Sequence, residues 1–258
     1  MLIDRTRRFL RRALPESLRL RLAEARRGLR DIARGDVFCP AAPAAAGLAP
    51  EEWLAVVQIS QPIRRSAHWQ GKLHNLRLAA ARLDGTVCAS GQVLSLWRLL
   101  GRPDIANGYA MGRSIRNGRV EADAGGGLCQ ISGLLYELGL RAGMEIAERH
   151  PHTQDLYTED SRFTPLGLDA TVVFGHKDMR LRNVLAQPLG FAFAVDGERI
   201  EGRMLAGAPL APCGIEIVRR DDAAGTRHVD VWRSSDGARA LVSRDSYAAT
   251  PAAPASYS

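Results

Sequence analysis

The chain has 258 residues, of which 46% are hydrophobic and 24% are charged. This composition is typical of a folded globular protein with one core, and it excludes an intrinsically disordered chain. The net charge of +7 belongs to residues 1–34, where eleven arginines stand against four acidic residues, while the rest of the chain is neutral. We therefore predict no nucleic-acid partner, because a nucleic-acid-binding domain carries its basic residues on a folded face.

The four cysteines, Cys39, Cys88, Cys129 and Cys213, lie far apart and form no CxxC pair. This spacing argues against a zinc knuckle and against a disulfide framework, so it predicts free thiols in a reducing compartment, no metal site and no cofactor. The sequence also lacks the apolar run of a membrane-spanning helix and the apolar core of a signal peptide. We therefore expect a cytoplasmic protein that is either free or peripheral at the inner membrane surface.

The N-terminal segment, residues 1–38, contains a predicted basic amphipathic helix from Pro15 to Arg34. Its apolar residues recur at helical spacing, and arginines lie between them: Leu18, Leu22, Ala25, Leu29 and Ile32 form the stripe. Two interpretations stay open. The stripe packs on the domain, as in most surface helices, or residues 1–34 contact an anionic membrane surface.

The composition predicts a Pro/Ala linker at residues 39–50 and a single domain at residues 51–245. Residues 246–258 are predicted to be a disordered tail. Early in the domain the pattern predicts a short helix at 51–58, a strand at 63–70, a helix at 72–83 and a hairpin within 108–121 that turns at Asn117-Gly118. The central helix, Leu128–Ala142, is apolar except for one polar stripe. That stripe consists of Gln130, Glu137 and Arg141.

The second half of the domain is rich in predicted strands. They are Glu145–Arg149, Asp169–Phe174, Met179–Val184, Phe191–Val195, Arg199–Leu205, Gly214–Arg219 and His228–Trp232. A buried helix followed by a strand-rich half predicts an α+β fold, in which the central helix packs on an antiparallel sheet.

The glycine run Gly125-Gly126-Gly127 leads directly into Leu128-Cys129-Gln130 at the start of the central helix. Glycines permit positive φ angles and close approach of other groups, and a helix N-terminus presents unpaired N–H groups. The positive end of a helix dipole lowers the pKa of a thiol and favours its reactive thiolate form. The motif therefore indicates a functional site at Cys129, although a small buried cysteine in a tight turn would explain the same glycines.

This motif and those that follow it resemble the VanW family over residues 74–187. The resemblance rests on motifs in the same order: Gly125–Ser132, Leu135-Tyr136, Ala142–Ile146, Glu148–His152, Pro165–Val172 and Asp178–Asn183, with Gly108-Tyr109 upstream. It implies a bacterial protein linked to the cell envelope and to glycopeptide resistance. It implies no particular reaction.

The first functional hypothesis is a cysteine-dependent acyl-transfer or amide-hydrolysing enzyme. Cys129 is the predicted nucleophile, His152 or His150 its base, and Asp169 the group that orients the imidazole. Backbone N–H groups of the glycine turn would hold the oxyanion. The order Cys, His, Asp is similar to that of transglutaminase-like and papain-like enzymes, and the predicted substrate is a small or peptide-like molecule related to the envelope.

Three other interpretations remain. In a non-catalytic binding module, Gly125, Gly126 and Gly127 cradle an anion, and Gln130 and Arg149 add donors. In a metal site, His150 and His152 act with Cys129 or Asp169, although no zinc spacing is present. In an interaction protein, the domain is a scaffold and residues 1–34 carry the function.

Overall fold

The computed structural model describes residues 15–41, 53–65, 68–116, 119–154 and 162–248. Most of the Pro/Ala linker, the Asn117-Gly118 turn and residues 249–258 of the predicted tail lie outside this description. The described helices are α1 (Glu16–Arg34), α2 (Trp69–Leu83), α3 (Leu96–Leu100) and α4 (Leu128–Arg141), with a 3₁₀ turn at Ile105–Asn107. The strands are β1 (Leu54–Pro62), β2 (Val87–Cys88), β3 (Val93–Ser95), β4 (Met111–Arg116), β5 (Arg119–Ala124), β6 (Glu145–Glu148), β7 (Arg180–Arg182), β8 (Leu189–Val195), β9 (Arg199–Ala206), β10 (Gly214–Asp221), β11 (Arg227–Ser235) and β12 (Ala238–Tyr247).

The named strands form antiparallel sheets around the central helix. One sheet has the strand order β1-β9-β8-β2, two others are β3-β7-β6 and β10-β11-β12, and β4 pairs with β5 as a hairpin. Helix α4 contacts α2, β1, β6, β9 and β10, so it touches all three larger sheets. Its apolar residues Ile131, Leu134, Leu135 and Leu138 are fully buried. The predicted α+β fold with a central buried helix is therefore confirmed.

Helix α4 is more deeply buried than its sequence indicates. Gln130 and Glu137, which the sequence analysis assigned to a polar stripe, are both buried. The Gln130 side chain donates to the carbonyl oxygen of Pro62 on β1, and Glu137 forms an ion pair with Arg141. Internal contacts thus replace contact with water for the Gln130 amide nitrogen and the Glu137 carboxylate.

Three local predictions are wrong. Residues 54–62 form a strand rather than a helix, because β-branched Val57 and Ile59 pair with β9. The segment 63–70 is not a strand where it is described, since α2 already begins at Trp69. The segment 169–174 is irregular, because Val173 closes a tight turn with Lys177 instead of pairing along a neighbouring strand.

The end of the domain was also misplaced. Residues 238–247 form β12, which pairs with β11 over its full length. Ser246 and Tyr247 therefore belong to the folded domain and not to the predicted tail, and Tyr247 is fully buried. The alanine and serine residues of this segment show no apolar pattern from which a strand could be predicted. The strand is stabilised by cross-strand pairing instead.

Helix α1 is present as predicted, but its apolar stripe does not pack on the domain. Leu18, Leu22, Leu29 and Ile32 are exposed. The helix is attached instead through Arg27, which contacts Glu148, and through other polar groups on its opposite side. Within the described residues no helix combines the length and apolarity needed to cross a membrane.

Candidate active site

The glycine turn places Cys129 in the first turn of α4. Gly127 is the N-cap residue with φ of 100°, and a Cβ at this position would lie 2.7 Å from Cγ of Lys72. Only glycine satisfies both the backbone angle and the close contact with α2. Cys129 follows as the second residue of the helix and is partly exposed. Within the described residues its backbone N–H donates to no other backbone group.

Gly133 brings the helix close to the segment that carries Asp169. A Cβ at Gly133 would lie 3.4 Å from the carbonyl oxygen of Leu168 and 3.7 Å from Cα of Asp169. Cys129 is one turn earlier on the same face of α4. Its sulfur lies 3.8 Å from Oγ1 of Thr171 on that segment. The missing side chain at Gly133 thus allows the thiol to reach the groups beyond Asp169.

His152 and Asp169 are joined by a short hydrogen bond. Nδ1 of His152 lies 2.6 Å from Oδ2 of Asp169, which also accepts the backbone N–H of His152 at 2.8 Å. The carboxylate therefore favours the tautomer with its proton on Nδ1. Nε2 is then the ring nitrogen that Asp169 leaves free, and the imidazole also lowers the pKa of the Cys129 thiol.

Two further side chains fix the Asp169 carboxylate. The hydroxyl of Tyr247 donates to Oδ1 at 2.6 Å, and Arg149 approaches the same oxygen at 3.3 Å. Arg149 also donates to the backbone carbonyl of Asp169 at 2.6 Å and forms an ion pair with Asp245. The orientation of His152 thus depends on a buried network that spans β12 and the segment after β6.

The charges of the site favour a thiolate beside an imidazolium. Burial raises the pKa of Cys129, but the hydrogen bond and charge of His152 outweigh burial, so the net pKa of the thiol is lowered. Burial opposes protonation of His152, yet hydrogen bonds to Asp169 and Cys129 raise its pKa to about 10. Burial likewise disfavours the Asp169 carboxylate, but His152 and Arg149 hold its pKa well below the ordinary value.

The structure thus brings together Cys129, His152 and Asp169, and it separates His150 from them. Nε2 of His150 lies 3.0 Å from Oε1 of Glu148. The two histidines do not lie on one strand, because β6 ends at Glu148 and the chain is irregular beyond it. Of the two histidines left open by the sequence, His152 is the one beside the thiol.

The predicted binding role of Arg149 is not supported, because its side chain is only 4% exposed and is surrounded by protein acceptors. Gln130 is similarly occupied by Pro62. The glycine turn also uses its own amides, since Gly125 donates to Ala110 and Gly126 donates to Asp123. Most of the groups expected to hold an anion are therefore engaged in holding the turn and its neighbours.

Thr171, Asp245 and Tyr247 belong to the site but were not predicted from the sequence. Thr171 and Asp245 carry no local signal, because each acts through a partner that is distant in the chain. Tyr247 is an aromatic residue in an Ala/Ser-rich segment, and this contrast was the one available sign that the segment is folded. Within the described residues no three His, Cys, Asp or Glu side chains are grouped to hold a metal ion.

Two known proteins are similar to this chain in sequence. The chain is 32% identical to "Vancomycin B-type resistance protein VanW" of Enterococcus faecalis over 137 residues, which are 53% of this chain and 50% of that protein. It is also 32% identical to "Uncharacterized protein YoaR" of Bacillus subtilis over 120 residues, 46% of this chain and 38% of that protein. The chain thus spans half or less of the length of these curated relatives.

A comparison with solved structures finds no significant match. The sequence model of the family described as "VanW like protein" matches residues 71–205, a range that contains α4, Cys129, His152 and Asp169. This range covers just over half of the chain, and the chain therefore belongs to the VanW family.

Proposed function

We propose that this protein is a cysteine-dependent acyl-transfer or amide-hydrolysing enzyme. The observation that carries the proposal is the arrangement of three side chains. The pKa of the Cys129 thiol, at a helix N-terminus, is lowered by an imidazole whose Nδ1 is held 2.6 Å from a buried carboxylate. This is the arrangement that activates a cysteine nucleophile and retains a proton for the leaving group.

The reaction begins with attack of the Cys129 thiolate on the carbonyl carbon of the substrate. The carbonyl oxygen becomes negative and accepts the backbone N–H of Cys129, which helix α4 leaves without a backbone acceptor. The protonated His152 then gives its Nε2 proton to the leaving amine, and the C–N bond breaks to leave a thioester. Neutral His152 next removes a proton from water or from an acceptor amine, whose attack releases the acyl group and restores the thiol pair.

A peptide-like substrate related to the cell envelope is part of this proposal. The choice of this substrate class is supported by the name of the Enterococcus faecalis relative, which connects that protein with vancomycin resistance. The thiolate chemistry is compatible with an amide or an ester as the bond attacked, because a cysteine thiolate forms a thioester with an acyl carbon.

The test is the pH dependence of alkylation with iodoacetamide, followed at each cysteine by peptide mass spectrometry. Cys39, Cys88 and Cys213 are buried, so we expect Cys129 to react first. Its apparent pKa should lie below the free-cysteine value of about 8.5, and His152→Ala should raise it. His150→Ala is the matched control and should leave the profile unchanged, because His150 contacts Glu148 instead.

A second measurement separates catalysis from mere thiol reactivity. With p-nitrophenyl acetate as the acyl donor, we expect an acetyl adduct on Cys129 that disappears on further incubation of the native protein. In Asp169→Asn we expect a slower formation of the same adduct. Alkylation of Cys129 that follows only global unfolding, or an adduct that is never released, would contradict the proposed enzyme.

The alternative of a non-catalytic anion-binding module has less support. The predicted hydrogen-bond donors to the anion are the glycine-turn amides, Gln130 and Arg149. Most of these groups already donate to acceptors within the protein. The binding-module alternative would gain support if cells carrying the Cys129→Ser variant kept the phenotype that the native protein confers.

A further inference from the structure

Helix α1 is attached to the domain along one polar side. Arg27 donates to Oε2 of Glu148 at 2.6 Å and to the carbonyl oxygen of His176 at 2.8 Å. Further along the same side, Nη1 of Arg180 lies 2.6 Å from Oδ1 of Asp31, and both of these side chains are about 95% buried. Near the start of the helix, Leu20 packs against Gly175. The docking of α1 thus depends on buried ion pairs and one leucine.

The opposite side of α1 is apolar and exposed. With about 3.6 residues per turn, the stripe of Leu18, Leu22, Ala25, Leu29 and Ile32 lies across the helix from Leu20, Arg27 and Asp31. Leu29 is 68% exposed and Ile32 is 78% exposed. A helix that buries its ion pairs and exposes its leucines reverses the usual orientation of a surface helix. Such a face indicates an interaction surface.

Arginines line both edges of this stripe. Arg21 lies on one edge, and Arg19, Arg26 and Arg30 lie on the other, all with exposed side chains. The acidic residues of the helix whose side chains are described, Glu24 and Asp31, lie toward the domain. The outward half of the described helix is therefore apolar along its middle and positive along its edges.

We propose that α1 lies in the headgroup region of an anionic lipid membrane, with its leucine stripe inserted and its arginines on the lipid phosphates. An apolar stripe between cationic edges is the pattern that binds such surfaces. The arginines add electrostatic attraction to such a surface. A symmetric contact with a second copy fits less well, because a two-fold axis through the stripe would bring the arginine edges of both copies together.

The attachment of α1 links this surface to the candidate active site. Arg27 contacts Glu148, the last residue of β6, and the chain reaches His152 shortly afterwards. A membrane-bound α1 would therefore be connected to the segment that leads to His152 through the Arg27–Glu148 ion pair. This inference does not depend on the proposed enzyme, since the stripe would bind lipid whether or not Cys129 is reactive.

The test is co-sedimentation of the full chain with vesicles of phosphatidylcholine alone and with vesicles of equal parts phosphatidylcholine and phosphatidylglycerol. We expect binding only to the mixed vesicles, weakened by added salt. Leu29→Glu with Ile32→Glu should reduce the affinity at least tenfold. The matched control is Val184→Glu with Leu241→Glu, which changes residues of the domain that are 53% and 40% exposed and should leave the affinity unchanged.

Two further controls keep the outcome clear. Cys129→Ala should bind the mixed vesicles as the native chain does, which separates this inference from the proposed catalysis. Near-ultraviolet circular dichroism should show that the α1 variant remains folded. Failure to bind mixed vesicles at low salt would overturn the proposal. So would equal loss in both double variants, or a native dimer in sedimentation velocity that Leu29→Glu with Ile32→Glu dissociates.

Discussion

Asp169 controls the candidate site because every hydrogen bond to its carboxylate has a separate task. Oδ2 accepts hydrogen bonds from the backbone N–H and from the ring Nδ1 of His152. These two bonds fix the backbone at His152 and the imidazole together. Oδ1 accepts the hydroxyl of Tyr247 and faces Arg149. Burial raises the pKa of Tyr247, so this hydroxyl stays protonated and remains a donor throughout the neutral range.

Asp169→Asn tests this control at the scale of one residue. The substitution removes the charge that stabilises the imidazolium, so the pKa of His152 should fall from about 10 toward about 6.5. The pKa of Cys129 should then rise toward its ordinary value, because the thiolate loses its cationic partner. The pH profile of iodoacetamide alkylation measures the pKa of the thiol. The chemical shifts of the histidine ring in nuclear magnetic resonance measure the pKa of the imidazole.

Tyr247→Phe is the control, because it leaves the bond between Oδ2 and His152 intact. We expect little change in the alkylation profile and a loss of about 1–3 kcal/mol in the free energy of unfolding. An unchanged profile in Asp169→Asn would show that Asp169 does not set the protonation of the pair.

At the scale of elements, the site depends on how closely α4 approaches the irregular segment 168–171. Gly133 sets that distance, and Thr171 then contacts the thiol at 3.8 Å. Gly139, further along the helix, has the same role against Leu181 of β7, whose Cδ2 would lie 2.6 Å from an added Cβ. Two glycines in a helix lower its propensity, and the close packing that they permit compensates for this.

Graded substitutions at Gly133 test this dependence. Gly133→Ala should be tolerated, because its Cβ meets the Leu168 carbonyl at 3.4 Å and alanine improves helix propensity by about 1 kcal/mol. Gly133→Leu should displace the Asp169 segment, destabilise the fold by about 1–3 kcal/mol and raise the apparent pKa of Cys129 alkylation. Urea unfolding and iodoacetamide profiles measure these effects.

The control is Gly28→Leu in α1, where an added Cβ meets no atom within 4 Å. It should cause neither effect. A Gly133→Leu variant with native stability and a native alkylation profile would show that the helix position does not determine the thiol environment.

At the scale of the whole molecule, α1 is attached to the domain by ion pairs between arginines and carboxylates. Burial opposes the charge of Asp31, but hydrogen bonds from Arg180 and Arg98 hold its pKa below the ordinary value. Burial also opposes the charge of Glu148, and the hydrogen bond from Arg27 outweighs it, so that pKa is lowered too. Each lowered pKa contributes docking stability above the unfolded value of about 4, and the contribution is lost as pH falls through the folded value.

Acid should therefore release α1 before the core unfolds. We expect the amides of residues 16–34 to lose protection from hydrogen exchange between neutral pH and about pH 3, after correction for intrinsic rates. The amides of α4 should keep their protection over the same range. Arg27→Gln should shift the release of α1 to higher pH. Equal protection of α1 at both pH values would contradict this account of its docking.

The sequence by itself determined the α+β class, the basic N-terminal helix, the hairpin of β4 and β5, and Cys129 at a helix start. Each of these depends on local periodicity, turn chemistry or composition, which a single chain displays directly. Seven strands of the second half were predicted, and six are present with shifted ends. The motifs also carried the family resemblance, which the match over residues 71–205 confirms.

Only the tertiary structure decided what lies beside Cys129 and which side of α1 faces outward. The choice of His152 over His150 follows from the end of β6 at Glu148, and the roles of Thr171 and Tyr247 come from contacts with residues far away in the chain. The outward leucine stripe depends on the ion pair between Asp31 and Arg180. Such long-range pairings leave no local pattern, because their free energy arises only when distant segments are packed together.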